Sequence, residues 1–421
     1  MNFKERDRKH LWHPLTQHKL HPDHLPIVKA KGVWLYDENG QRYIDGISSW
    51  YTCMYGHSHP KIISRVKEQL DVLDQVVFSG FTHPPAIELS EKLIPLLPPG
   101  MEKLFFSDNG STSVDVAIKM SLQYYFNKGN SRKRIVAFDN AFHGDTFGAM
   151  SVSGLSVYNG PFENFLLTVD RLNVPDKTNI ETVMKSFRAM LDSNEVAAFI
   201  YEPLVQGAAA MHMYSPDHLE ILIKMAKEAG VLTIADEVMT GFGKTGKNFA
   251  SEYMTSQPDI ICLSKSLTAG VAPMALTCCS QKVYNAFFDD EISKGFFHGH
   301  TYSANPLACT AAIAGLDLLC SHEIQTAIKT IHQRHLEFER YIKNHDKVKQ
   351  TRVTGVILAM DLDVEMDRYG TLRDRLYAFF MEQGVFLRPL GNTIYTLPPF
   401  VISNSELERI YEVMEKSLEI I

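Results

Sequence analysis

The sequence predicts an α/β fold, with a large domain built on a mainly parallel sheet flanked by helices and a smaller α+β domain after it. Two observations carry this. From about residue 101 to residue 280, short apolar runs of strand length alternate with longer amphipathic stretches, the pattern of strand–helix crossover units. Two of these runs also end in a charge, residues 231–236 on Asp236 and residues 259–265 on Lys265. In a parallel sheet the C-terminal strand ends share one edge, and ligands bind there. Asp236 and Lys265 are therefore expected to face one cavity despite the residues between them. A buried acid and a buried lysine on one rim are costly, so their presence points to chemistry.

A chain of 421 residues exceeds one ordinary core and is expected to divide. The division expected is an N-terminal segment (1–60) joining the small domain and a substrate channel, a large domain (61–330) and a C-terminal small domain (331–421). Hydrophobic residues at 45% and charged residues at 22% are those of a soluble globular protein. A net charge of −7 argues against nucleic acid or an anionic membrane as partner. No apolar run approaches a membrane span, and the opening MNFKERDRKHLWHP lacks the apolar core of a secretory signal. Six scattered cysteines form no CxxC pair, which points to reduced thiols and a cytoplasmic location.

Residues 1–60 read as irregular apart from a hairpin in GVWLYDENGQRYIDG, where alternating apolar residues flank Asn39-Gly40, a two-residue turn pair. Trp50 and Tyr51 follow, as flat apolar walls if they line a pocket and as plain core if they do not. His57 and His59, two apart before a proline and with no third ligand nearby, make a poor metal site, and no metal is expected. Residues 60–73 and 85–97 read as helices, the second stopped by Pro98-Pro99-Gly100. Next come a strand, a polar turn at 107–111 and a long helix. Small residues at that helix start suit an anion cradle, and Asn109 and Ser111 equally suit a plain cap.

Residues 134–138 form a further strand. The turn after it, AFHGDTFGAMSVSG, either lays Phe142 over a planar ligand or is an ordinary loop. Strand 196–201 ends in Glu202-Pro203, and helix 216–229, stopped by Gly230, leads to the two strands of the charged ends. GFGKTG tempts a phosphate-loop reading, but the glycine required five positions earlier is Val238, and that reading fails. PMALTCCS is another strand, and NPLACTAAIAGLDLLC an Ala-rich helix. A long helix over 324–345 connects to strands at 355–361, 385–390 and 393–397. Helix 371–383 lies among these, and a last helix opens at Ser403 with Glu406 in capping-box spacing.

A lysine in apolar surroundings has its pKa lowered and becomes a nucleophile toward carbonyls. The simplest demand for such a lysine with a separate carboxylate is pyridoxal phosphate: the lysine forms the Schiff base and the acid holds the pyridinium proton. The helix start at Asn109-Gly110-Ser111 offers a phosphate site and Phe142 a ring-stacking face. Arg388 offers a bidentate carboxylate partner, with a structural ion pair as the plainer alternative.

Four stretches, ADEVMTGFGKTGK, PDIICLSKSLTAG, DNGSTSVDVAIKM and FHGDTFGAMS, together resemble the class III aminotransferases, fold-type I pyridoxal-phosphate enzymes, and the resemblance runs over the whole chain. WHPLTQH, DGISSWY and HTYSANPLAC narrow it within the class. It implies a PLP-dependent transamination between an amino donor and a keto amino acid acceptor, the donor being S-adenosyl-L-methionine or lysine. Lys265 is then the Schiff-base and proton-transfer lysine and Asp236 the partner of the pyridine nitrogen. Gly110 and Ser111 would hold the phosphate, joined by Thr301 of the partner subunit in a homodimer. Phe142 would stack on the ring. Trp50, Tyr51, Asp145 and Gly299 would line the substrate channel, and Arg388 would bind the acceptor's carboxylate. The chain departs from the family pattern at Leu15, where an aromatic is usual, at Phe142, where tyrosine is, and at His300, where proline commonly precedes the threonine. The first two weaken cation–π and polar contacts on the donor side. The alternatives are an ω-amino-acid or diamine transaminase of the same class and an aminomutase on the same fold.

Overall fold

The computed structural model describes residues 2–154 and 159–421. Its centre is a seven-stranded sheet in the order Met101–Ser107, Ala275–Ser280, Ile260–Leu263, Leu232–Asp236, Val196–Tyr201, Arg134–Phe138 and Val169–Leu172. The last five of these strands run parallel. Ala275–Ser280 is antiparallel to both of its neighbours, so the sheet is mixed at that side. Every residue of Val196–Tyr201, Leu232–Asp236 and Ile260–Leu263 is buried, which accounts for their unbroken apolar runs. Gly110–Asn127 packs on one face, and the Ala-rich Pro306–Leu319 lies against Pro60–Leu70 and Pro84–Leu93.

Ends of elements follow local chemistry. Asn109 accepts the Thr112 amide at the start of Gly110–Asn127. Ser403 and Glu406 form the expected reciprocal cap on Asn404–Lys416. The long helix His322–Ile342 buries Ile324, Ile328, Ile331, His335, Phe338 and Ile342, one stripe at helical spacing.

Beyond the large sheet, Val348–Thr354, Ile357–Leu362 and Thr393–Thr396 form a three-stranded antiparallel sheet. The N-terminal hairpin Trp34–Asp37/Arg42–Asp45 is extended on one side by Ile27–Lys31 and on the other by Val385–Phe386, which pairs with it in parallel. Chain from both ends thus shares one small sheet.

Several details differ from expectation. The 1–60 region is less irregular than its composition suggests: Phe3–His10 is a helix whose Asn2 cap and Glu5 form a capping box. The hairpin loop is longer than two residues, because Asp37 pairs with Gln41 and Gly40 takes φ +81° in a wider turn. The strand expected over 385–390 is shorter, at Val385–Phe386. All six cysteines are free, as expected, and five of them are buried while Cys320 is exposed.

Candidate active site

Parallel register brings the strand ends together. Asp236 pairs with Cys262 and Ala235 with Tyr201, so Glu202, Asp236 and the turn carrying Lys265 lie along one edge. They open onto a cavity of about 510 Å³. Its wall includes Trp50, Tyr51, Gly110, Ser111, Phe142, Asp145, Asp236, Lys265 and Arg388. Nine of the eleven expected site residues are therefore brought together, and Gly299 and Thr301 are not. Both are exposed, and the Thr301 carbonyl accepts the Gln75 side-chain amide at 2.8 Å. Within one chain Gly299 lies outside the wall of this cavity.

Lys265 begins a short 3-10 turn beyond Ile260–Leu263, with φ +49°. Its amine lies over the Tyr51 ring, 5.4 Å from the centroid. Burial lowers its pKa, against the pull of Asp236 and Glu202, which favours a share of neutral amine. Behind it the fully buried Lys244 donates to Gly241 O and Ser266 Oγ, each at 2.7 Å, and Ser266 Oγ donates to Tyr51 O at 2.7 Å. The GFGKTG lysine is thus a brace under the reactive turn.

Asp236 is held at both oxygens. Oδ2 lies 2.7 Å from His143 Nδ1, and Oδ1 accepts the Val238 amide at 3.0 Å. Glu202 accepts the Phe142 and Gly207 amides at 2.9 and 3.0 Å. Burial pushes its carboxyl up to about 7. Glu202 and His143 were not singled out from sequence as site residues. Glu202 carried the same signal as Asp236, an acid closing a buried strand.

The helix start at the cavity floor is tightly fitted. A Cβ on Gly110 would come within 2.7 Å of Val238 Cγ1, and one on Gly144 within 2.0 Å of Ser111 Oγ. Ser111 Oγ accepts the Asp145 amide at 3.0 Å. At the far wall Arg388 stacks on Trp50, Cζ to centroid 4.9 Å, and Tyr51 donates to Tyr395 at 2.8 Å.

Trp50 and Tyr51 stand on unusual backbone, since Ser48, Ser49, Trp50 and Tyr51 all have positive φ, between 46° and 71°. Left-handed backbone costs L-residues roughly 1–2 kcal/mol each. Side-chain bonds hold it in place. Ser49 Oγ donates to Asp45 Oδ2 at 2.7 Å, His57 Nε2 lies 2.8 Å from the same oxygen, and Ser48 Oγ donates to Leu397 O at 2.7 Å. Burial opposes a charged His57, yet its bonds to Asp45 and Cys53 prevail and hold it up to about 10.

The sequence profile of the aminotransferase class-III family matches residues 16–418. An adenosylmethionine-8-amino-7-oxononanoate aminotransferase from Synechococcus elongatus is 44% identical, the match covering 97% of this chain and 98% of that protein. One from Helicobacter pylori is 35% identical with 97% of each covered. Among solved structures, an enzyme of the same name from Methanocaldococcus jannaschii superposes with a TM-score of 0.93 at 32% identity, covering 99% of this chain and 98% of that one. An omega transaminase from Pseudomonas jessenii in complex with PMP reaches 0.94 at 26% identity, covering 100% and 98%.

Proposed function

This chain belongs to the class III aminotransferase family, and from that premise we propose that it aminates 8-amino-7-oxononanoate to 7,8-diaminononanoate in biotin biosynthesis, with S-adenosyl-L-methionine as donor. It is a pyridoxal-phosphate-dependent aminotransferase. The observation that carries the substrate is full-length identity of 44% to a relative of that name, against 26% to an omega transaminase that shares the fold equally well.

The residues of the cavity fit the cofactor. A lysine with lowered pKa and a doubly anchored acid share one cavity with a helix start where two glycines leave no room for a Cβ. Lys265 would hold the cofactor, Asp236 its ring nitrogen, and Gly110 and Ser111 its phosphate, with Phe142 against the ring. When bound, pyridoxal 5'-phosphate supplies a carrier for the amino group and a sink for electrons.

Lys265 Nζ would take and return the proton at the substrate carbon, and burial lowers its pKa in the direction that role requires. Asp236 would be the partner of the ring nitrogen, and His143 at 2.7 Å fixes the direction of that side chain. Arg388 receives the acceptor's carboxylate, and Trp50, Tyr51 and Asp145 shape the path to the amine. Donor and acceptor use the same cavity in turn, so ping-pong kinetics follow.

The chain acts as a homodimer in the cytoplasm, with small-molecule substrates and no nucleic-acid or membrane partner. Its exposed Thr301 enters the neighbouring subunit's cavity at the phosphate, beside the exposed Phe297 and Tyr302. The three-part division at residues 60 and 330 is kept as part of this reading. Lysine is the second donor reading, favoured by Phe142, which has no hydroxyl, and by Leu15 in the cavity wall. A half-reaction tests both donors. The holoenzyme is mixed with adenosylmethionine or with lysine, and loss of its visible cofactor band is followed. Bleaching by adenosylmethionine alone supports the proposal, and bleaching by lysine alone replaces the donor. If 8-amino-7-oxononanoate gives no turnover while ornithine or 4-aminobutyrate does, the acceptor assignment falls.

A further inference from the structure

The arm ahead of the first strand is held with little apolar burial. Its helix Phe3–His10 has no buried residue, and Phe3, Leu11, Trp12, Leu20 and Leu25 are exposed. Three side chains from separate points of this arm nevertheless converge: Asp7 from the helix, His13 just after it, and His24 shortly before strand Ile27–Lys31. One ligand atom from each lies within 4.8 Å of the others. Asp7 Oδ2 is 2.9 Å from His13 Nε2, and the His13 and His24 ring centroids are 3.6 Å apart. His24 Nε2 is buried with no hydrogen-bond partner among the described residues. His18 locks the loop by accepting the His13 amide at Nε2, 2.9 Å away, which takes that nitrogen out of any ligand set.

Asp7 pairs with His13 through both carboxylate oxygens, and the second imidazole pressed against that pair leaves its buried Nε2 unused. A shared cation would give that nitrogen the partner it lacks. We propose that Asp7, His13 and His24 form a site for a divalent transition-metal ion of the zinc type, which pins the N-terminal arm beside the substrate cavity. Two nitrogens and one carboxylate oxygen are a zinc donor set with one open position, whereas calcium or magnesium would call for an oxygen shell. The expectation of no metal rested on His57 and His59, which lie elsewhere. The consequence reaches the cavity through Leu15, two residues beyond His13, which lines its wall at φ +52°. Metal at this site would hold that leucine in place.

The test uses full-length holoenzyme carrying no affinity tag and stripped with chelator, titrated with Zn²⁺ by calorimetry and with Co²⁺ by its ligand-field absorption. One equivalent per chain is expected. His13→Gln and His24→Gln should each weaken Zn²⁺ binding by at least about 100-fold, while the exposed His10→Gln leaves it unchanged. Hydrogen exchange gives a second readout: Zn²⁺ should slow exchange of the arm's amides in the parent chain and not in His24→Gln. Absence of binding, or binding that survives both His13→Gln and His24→Gln, overturns the proposal and leaves the three residues as a hydrogen-bonded cluster only.

Discussion

The two walls of the cavity are built in different ways. Glu202 and Asp236 sit at or just past the ends of adjacent parallel strands and Lys265 in the turn after the next, so their spacing follows from a hydrogen-bonded register. Trp50, Tyr51 and Leu15 face them from left-handed backbone held by side-chain bonds such as Asp45–His57. A sheet edge surrounded by buried strands has nowhere to drift, whereas a loop wall changes with each side chain that braces it. Under the proposed function, the chemistry belongs to the sheet edge and the choice of substrate to the loops.

The largest expected effect breaks the sheet side. Lys265→Ala should lower transamination by at least about 10,000-fold, the upper range for removing a positioned acid–base group. Single-turnover measurements with either donor check this, and near-normal turnover would move the chemistry off this edge. The next tests the buried acid. Burial raises Glu202 from 4.5 to about 7, so its contribution to stability is fully present below pH 4.5 and is lost as pH rises through about 7. Relative to Glu202→Gln, the cofactor-free parent should therefore lose about 3 kcal/mol between acid and mildly alkaline pH. Denaturant unfolding of both proteins at the two extremes measures it, and a constant difference contradicts it.

The loop side should respond more gently. Arg388→Ala should raise KM for the keto acceptor by about tenfold or more, the worth of a charged hydrogen bond. Arg388→Lys should not restore it, because a lysine offers no planar fork. Steady-state kinetics at varied acceptor concentration read this out. The smallest change is Phe142→Tyr. One added hydroxyl should shift the ratio of adenosylmethionine to lysine turnover toward adenosylmethionine by about three- to tenfold, and parallel half-reactions with the two donors measure that ratio.

Much of the sheet side was legible in the sequence. Each run that closes on a charge is a strand short enough to be buried on both faces, and an acid or lysine at its end is visible in one dimension. Glu202 shows the limit of that reading. It carried the same signal as Asp236, but only the pairing of Ala235 with Tyr201 reveals that it shares the edge. The antiparallel turn of Ala275–Ser280 was not legible, because burial makes parallel and antiparallel strands look alike. Nor was the small sheet that joins residues 34–45 to Val385–Phe386, since parallel pairing across more than three hundred residues leaves no local trace.

By itself, the sequence determined the alternation of strands and helices, the caps at Asn109 and Ser403, and the identity of the two groups at the strand ends. These are local matters of periodicity, backbone donors and the cost of burying charge. The tertiary structure alone decided that Ser48–Tyr51 turns left-handed to present Trp50 and Tyr51, and that Lys244 lies under Lys265. It alone brought Asp7, His13 and His24 together ahead of the first strand. Those arrangements rest on contacts between distant segments, and such contacts exist only once the chain has closed on itself.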